Sequence, residues 1–430
     1  MMSKRTPVFV VLVLLALASL VAANGLNLNG LGTRAQAMGG AYVGLADDFS
    51  AVFWNPAGAA GFKQTTFGFY AVDLIPRATF DMSIRPGTVY VPEDPPPTAN
   101  AKTDLSHYVG GLAAYYRPLG ERVVVGLGIG TPSGLGTKWN GDDLVELSGG
   151  TPFDWSSKIG VYSVSPLVAL RLNDRLSVGA TLNVNLGTFN LKMPGGVADL
   201  GEGTVPLGQY EEQMTGWGFG ATVGVMAKPV DRLSIGLTVR TPSTVSFKGS
   251  AQLSYLSLYD LPDSSDLRRK ITWPLWVAGG VAFRPVDRLL LSADVHWTQW
   301  SKLDRITTEY LEAMWAPLME GSGADVRVLD WKNATQLRFG AEYTLNASTA
   351  LRAGYYNDPA PGPAATMNIL LPTHTYNAFS VGLGKTVGDL RLDFGLEYLA
   401  GRERANDDEI SLRRYGMSIV VPSVSVSYAF

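Results

Sequence analysis

Apolar and polar residues alternate along much of this chain with a period of two, the mark of strands whose two faces meet different surroundings. The clearest run is Leu390-Arg391-Leu392-Asp393-Phe394-Gly395-Leu396-Glu397-Tyr398, with apolar even positions and charged or glycine odd positions. Leu337 to Tyr343, Leu176 to Leu186 and Trp217 to Val225 repeat the pattern. Soluble sandwich strands usually run about five or six residues. Runs of about ten, tilted, match the thickness of a bilayer. The alternation is therefore read inside out: the apolar face meets lipid, and the charged or glycine face lines a lumen.

The pattern predicts fourteen strands, near 65–74, 107–117, 123–131, 163–172, 176–189, 216–228, 233–247, 272–284, 289–300, 333–345, 349–357, 375–386, 390–400 and 419–430. Short joins rich in turn residues, such as Asn173-Asp174-Arg175, Pro229-Val230-Asp231-Arg232 and Val387-Gly388-Asp389, alternate with long polar stretches. The long stretches are 75–106, 132–162, 190–215, 248–271, 301–332, 358–374 and 401–418. Short turns on one side and long loops on the other are the asymmetry of outer-membrane barrels. Leu172-Asn-Asp-Arg-Leu, Lys228-Pro-Val-Asp-Arg-Leu and Arg284-Pro-Val-Asp-Arg-Leu recur as hairpin turns, a sign of hairpin architecture rather than a solenoid. An open sheet edge in lipid would leave backbone groups unpaired at several kcal/mol each, so the sheet must close. The fold class expected is all-β, a transmembrane antiparallel β-barrel of about 14 strands, and the even count puts both termini in the periplasm.

The N-terminus fits that compartment. Lys4 and Arg5 precede an apolar run from Val8 to Leu17, with Val21 and Ala23 at small-residue positions before a cut. Residues 1–23 are read as a signal peptide. No comparable apolar run follows, which excludes a bundle of membrane helices. With 0 Cys there is no thiol chemistry, and a net charge of -3 offers no basic excess for nucleic acid. The 3 histidines, His107, His296 and His374, have no metal-ligand spacing, and no nucleophile can be placed beside Asp294 and His296. No enzyme, cofactor or metal site is expected. The last strand ends Ser427-Tyr428-Ala429-Phe430, an alternating run with a terminal aromatic of the kind read by the outer-membrane assembly machinery, and its rings suit the interface with outer-membrane lipid.

Residues 24–64 break the alternation. Gly30-Leu-Gly-Thr-Arg-Ala-Gln-Ala-Met-Gly-Gly-Ala41, Ala46-Asp-Asp48 and Phe53-Trp-Asn-Pro-Ala-Gly58 are rich in small residues, neither apolar enough for lipid nor strand-like. Before a barrel at 65–430, such a segment is placed to fold back as a plug or hatch. In this order, with Thr131-Pro-Ser-Gly-Leu-Gly-Thr-Lys-Trp139 and Ser165 to Gly179 further on, the chain resembles the FadL-type family over essentially its whole mature length. That family comprises outer-membrane transporters of long-chain fatty acids and of toluene and xylene. The resemblance implies a fourteen-stranded barrel with an N-terminal hatch, an external hydrophobic groove between long loops, and a pocket above the hatch. It also implies a distorted third strand that lets ligand leave sideways into the membrane.

Three sets of residues are candidates on this reading. Asn55, Pro56 and Ala57 would anchor the hatch, since Asn bonds local backbone and Pro fixes φ. Leu135, Trp139, Phe153 and Trp155 would form the apolar landing groove for a hydrophobic small-molecule ligand, with Lys138, Lys158 or Lys192 near a headgroup. Gly126, Gly128 and Gly130 suit a kinked strand, or else simply relieve crowding on a lumen face. Inward charges at Arg171, Arg240, Asp294, His296, Arg338, Glu342, Arg352, Arg391, Asp393 and Glu397 would either hold a carboxylate or knit barrel and hatch together. Whether the ligand is a fatty acid or a neutral hydrocarbon stays open, and a general porin for hydrophilic solutes is the alternative.

Overall fold

The computed structural model describes residues 25–85, 98–199 and 203–430, so the expected signal peptide lies outside the described residues. The wall is a meander of fourteen strands: β1 Thr66–Ile84, β2 Tyr108–Leu119, β3 Val123–Trp139, β4 Trp155–Asn173, β5 Leu176–Pro194 and β6 Gln209–Val230. Then come β7 in two runs, Leu233–Arg240 and Ser243–Leu253, and β8 in two runs, Ser264–Trp273 and Trp276–Val286. The circuit finishes with β9 Leu289–Thr298, β10 Ala334–Asn346, β11 Thr349–Asp358, β12 Tyr376–Val387, β13 Leu390–Gly401 and β14 Ser411–Ala429. Neighbours are antiparallel throughout, and β14 returns to β1 from Thr66↔Ala429 to Ile84↔Ser411, which closes the barrel. The strand number agrees with the periodicity.

The faces agree as well. Phe394 and Leu396 of β13 point outward at 51% and 48% exposure, while Asp393 and Glu397 are buried in the lumen. Strand lengths differ from expectation. β1, β4 and β14 run for 19 residues each and β6 for 22, so much of what reads as loop in 75–106, 132–162, 190–215 and 401–418 is barrel wall. The reason is an inversion of polarity. In the membrane belt apolar side chains point out, as Trp217 and Phe219 do on β6. Beyond it Val245, Phe247, Ala251 and Leu253 of β7 point inward, and Thr244, Ser246, Lys248 and Ser250 face solvent. A search for an outward apolar face therefore ends at the belt, although the hydrogen-bonded ladder continues.

Residues 25–60 are largely enclosed by the wall, and the chain emerges at the exposed Lys63 and Gln64 before β1. Helix α1 (Thr33–Ala37) packs against β11, β12, β13 and β14, whereas the 3-10 turn Pro56–Gly61, just after helix α2 (Ala51–Trp54), packs against β4, β5 and β6 on the opposite side. Residues 31–46 are buried without exception. The wall meets this segment with glycines paired across neighbouring strands: Gly179↔Gly224, Gly236↔Gly280, Gly340↔Gly354 and Gly382↔Gly395. A Cβ at Gly236 would lie 2.0 Å from the Val43 carbonyl oxygen, and one at Gly354 would lie 1.9 Å from the Gly39 amide nitrogen. Backbone lies directly on backbone there. Only glycine allows so close an approach.

Candidate functional site

Polar groups of the wall are aimed at the backbone of the lumen segment. Asp294 Oδ2 accepts from the amides of Tyr42 and Val43, both at 2.8 Å, and His296 stands 3.2 Å away. Arg338 donates to the Asn29 and Gly39 carbonyls at 2.8 and 3.2 Å, and Arg171 donates to Ala60 at 2.8 Å. Arg34 of α1 forms a two-pronged pair with Glu342 at 2.7 and 2.8 Å and also meets Asp47. Glu342 is shared with Arg352, which reaches Asp393 at 2.8 Å, and Arg391 reaches Asp393 at 3.2 Å. Most of the inward charges thus sit in a network that joins the lumen segment to the wall. Such pairs hold geometry because removing one partner strands a buried charge.

Asn55 is fully buried. Its Nδ2 donates to Val43 O within the segment and to Val225 O of β6, each at 3.1 Å, and its Oδ1 accepts from Ala57 N at 3.1 Å. Pro56 and Ala57 follow in the turn, with Gly179 of β5 against the Pro56 backbone and the Ala57 carbonyl accepting from Ser177 Oγ at 2.9 Å. One side chain therefore ties two stretches of the lumen segment to the wall.

The third strand departs from its neighbours above Gly130. β2 pairs with β3 only from Leu119↔Val123 to Leu112↔Gly130, and the β3–β4 register shifts by a residue between Gly130 and Ser133. Past that point Tyr108 to Gly111 pair with β1 alone. The unpaired inner edge of β3 is met by the N-terminal strap: Leu28 N donates to Pro132 O at 3.1 Å, and the Leu26 carbonyl accepts from Ser133 Oγ. Val52 of α2 lies against Gly128, and the β2–β3 ladder ends at Gly130. Gly126 lies against the Tyr116 ring instead.

Three spaces open above the lumen segment. An outer vestibule of about 930 Å³ is lined by Leu135, Lys158, Phe189, Tyr310, Met319 and Leu370 among others. An inner chamber of about 820 Å³ lies beside the β3 break, with Pro132, Ser163, Asn183, Thr222, Arg240 and Trp276 in its walls. A second inner space of about 760 Å³ runs along the strap Gly25–Gly30 and under Pro372 to His374. Leu135 lines both the vestibule and this second space, and Asn27 lines both inner spaces. Buried in the overlying loop, His374 is held neutral at ordinary pH: burial lowers its imidazole to about 4.

Of the groove candidates, Leu135 and Lys158 line the vestibule. Trp139 is buried and donates to Ile369 O at 3.0 Å, while Lys138 pairs with Asp104 at 3.1 Å. Phe153 rests on Tyr255, Trp155 is the register partner of Trp139, and Lys192 pairs with Glu211 at 2.9 Å and Asp154 at 3.4 Å. None of these five is in the walls of the three spaces. The remaining vestibule residues, such as Phe189, Ile306 and Arg327, lie on the inverted upper strands and a loop-borne strand pair. Alternating apolar residues beyond the belt, on the opposite parity, were the available signal.

Comparison with known proteins follows the same lines. The long-chain fatty acid transport protein of Escherichia coli K12 is 23% identical over 408 residues, covering 85% of each chain. The structure of a Pseudomonas aeruginosa FadL homologue superposes with a TM-score of 0.75 at 17% identity, over 95% of this chain and 100% of that one. The P. putida toluene transporter TodX gives 0.72 at 20% identity, over 94% and 99%. A family model described as outer membrane protein transport protein (OMPP1/FadL/TodX) matches residues 13–426. With a closed barrel, a filled lumen and a match along nearly its whole length, the chain belongs to this family of outer-membrane transport proteins, which are transporters of hydrophobic compounds and not enzymes.

Proposed function

We propose that the protein takes up long-chain fatty acids or aromatic hydrocarbons, catching them in the vestibule and passing them by Leu135 to the chambers above the hatch. Residues 1–23 are cleaved, 24–64 form the hatch and 65–430 the barrel, with both termini in the periplasm. Ligand then leaves sideways through the β2–β3 gap into the outer membrane. The observation that carries this reading is the end of the β2–β3 ladder at Leu112↔Gly130, beside the inner chamber, while the lumen below is filled. A general porin is disfavoured because the hatch leaves hydrophilic solutes no straight path. The gap is testable because the chain has 0 Cys. A Cβ at Gly110 would lie 3.6 Å from Thr131 Cβ, within the span of a disulfide. The Gly110→Cys/Thr131→Cys protein should lose uptake of labelled hydrophobic compound when oxidised and regain it on reduction. Equal uptake in both states would place the exit elsewhere.

Arg240 supports a carboxylate-bearing ligand. It stacks on Phe53 and Trp276 at 4.6 and 4.8 Å, and its Nη2 donates to Phe53 O at 2.9 Å. No ion pair joins it to a carboxylate among the described residues, unlike Arg34, Arg352 and Arg391. Arg240→Leu should lower fatty acid uptake and leave toluene uptake unchanged; equal effects on the two would remove Arg240 as the headgroup cation.

A further inference from the structure

Beyond the belt, the outer wall of β7 and β8 carries three exposed cations placed by register. Lys248 stands directly opposite Arg268, and Lys270 stands opposite Ser246, one outward position nearer the belt. On β6 the partner of Lys248 is Thr215 and the partner of Ser246 is Trp217. Trp217 and Phe219, 59% and 64% exposed, end the outward apolar row of β6, so the cations begin at the height where the aromatic edge of the belt stops. That is the height of lipid headgroups, where interfacial aromatics sit.

Like charges directly opposite on neighbouring strands destabilise a sheet. Lys248 and Arg268 are such a pair, with Lys270 on the diagonal, and among the described residues none of the three has an ion-pair partner within 4.0 Å. The nearest acids are Glu309, the register partner of Arg268 on its far side, and Asp266, one outward position farther from the belt. Around Lys248 and Arg268 an open groove is lined by Thr188, Asn190, Gln213, Thr215 and Ser250, with Asp266 and the exposed Leu311 also in its wall. An anion between the cations would turn their repulsion into attraction, with Arg offering a fork and Lys a point charge.

We propose that this patch binds the phosphates of a diphosphorylated glycolipid of the lipid A type in the outer leaflet. The proposal rests on the orientation given above, with the long connections facing outward. The hydroxyl and amide groups of the groove complete the coordination of the phosphate oxygens, and the belt below takes the acyl chains.

The test uses the full-length protein in detergent, with native mass spectrometry of retained lipid A, its dephosphorylated form and phosphatidylethanolamine. The wild-type protein should retain lipid A in preference to the other two. Each surface cation strengthens attraction to anionic lipid about fivefold, so the Lys248→Gln/Arg268→Gln/Lys270→Gln protein should bind lipid A about a hundredfold more weakly. Lys248→Gln alone, which leaves the wall intact, should weaken it about fivefold. Uptake of hydrophobic compound by the triple variant should stay at the wild-type level, which separates this site from the transport reading. Equal retention of lipid A by wild type and both variants would overturn the proposal, as would equal retention of phosphorylated and dephosphorylated lipid A by the wild type. Lipid A bound with no hydrophobic uptake in the wild type would overturn the transport reading and leave this one standing.

Discussion

Replacing Asn55 by Ala probes the hatch at the point where one side chain makes the most connections. The change removes two bonds donated by Nδ2, to Val43 O and Val225 O, and one accepted by Oδ1 from Ala57 N. A typical hydrogen bond contributes about 0.5–1.5 kcal/mol net, so the three together stabilise the seated hatch by about 2–4 kcal/mol. At about 3 kcal/mol the ratio of loosened to seated hatch rises on the order of a hundredfold. The barrel ladder and the Phe430 strand are untouched, so assembly should proceed. Asn55→Asp should loosen the hatch further, because a carboxylate would face the two carbonyl oxygens that the amide now satisfies. The assay is single-channel conductance in planar bilayers, with heat-modifiable gel migration as the check on folding. The wild type should pass little ion current, and both variants should show frequent openings. Wild-type conductance from folded Asn55→Ala, in protein that also retains wild-type uptake, would reduce Asn-Pro-Ala to an ordinary turn.

Other consequences follow from the same geometry. Phe394→Arg should destabilise the barrel by about 2–4 kcal/mol in urea titrations if Phe394 sits near the midplane, because it faces lipid. Gly354→Ala, with its methyl 1.9 Å from the Gly39 amide nitrogen, should leave the barrel folded and displace the hatch, read as raised conductance. His374 is held neutral in the fold at about 4, below its ordinary value near 6.5, so the unfolded loop takes up a proton first as pH falls. The stability of the 359–375 loop should therefore be full above pH about 6.5 and decline down to pH about 4. Hydrogen exchange across that range should detect the decline, and His374→Gln should abolish it. Protease added to intact cells should cut within 301–332 and spare the turn Pro229–Arg232; cuts confined to the short turns would invert the orientation.

The barrel was legible because the belt imposes one rule on every strand. Residues such as Leu390 to Tyr398 alternate against lipid, and the short turns carry Asn, Asp, Gly and Pro. Residues 24–64 stand out in the sequence as an interruption of that rule, whereas the bond from Asn55 to Val225 of β6 depends on tertiary placement and has no local signal. The vestibule was harder to read. Phe247 ends the expected seventh strand and Leu253 falls in the expected loop 248–271, yet both point inward where belt residues of the same character point outward. Trp139 and Trp155 look like exposed landing residues but sit in the extended β3–β4 wall. Local sequence carries the period of a strand; the height at which its apolar face changes sides is set by the bilayer and the closed lumen.

The most direct test of the account is a dual-label uptake measurement in cells lacking their own transporters for these compounds. One label is on a long-chain fatty acid or toluene and the other on a small hydrophilic sugar. Cells carrying this protein should accumulate the hydrophobic label well above cells without it and the sugar no faster than those cells. Rapid entry of the sugar with no gain in the hydrophobic label would contradict the account and leave a porin.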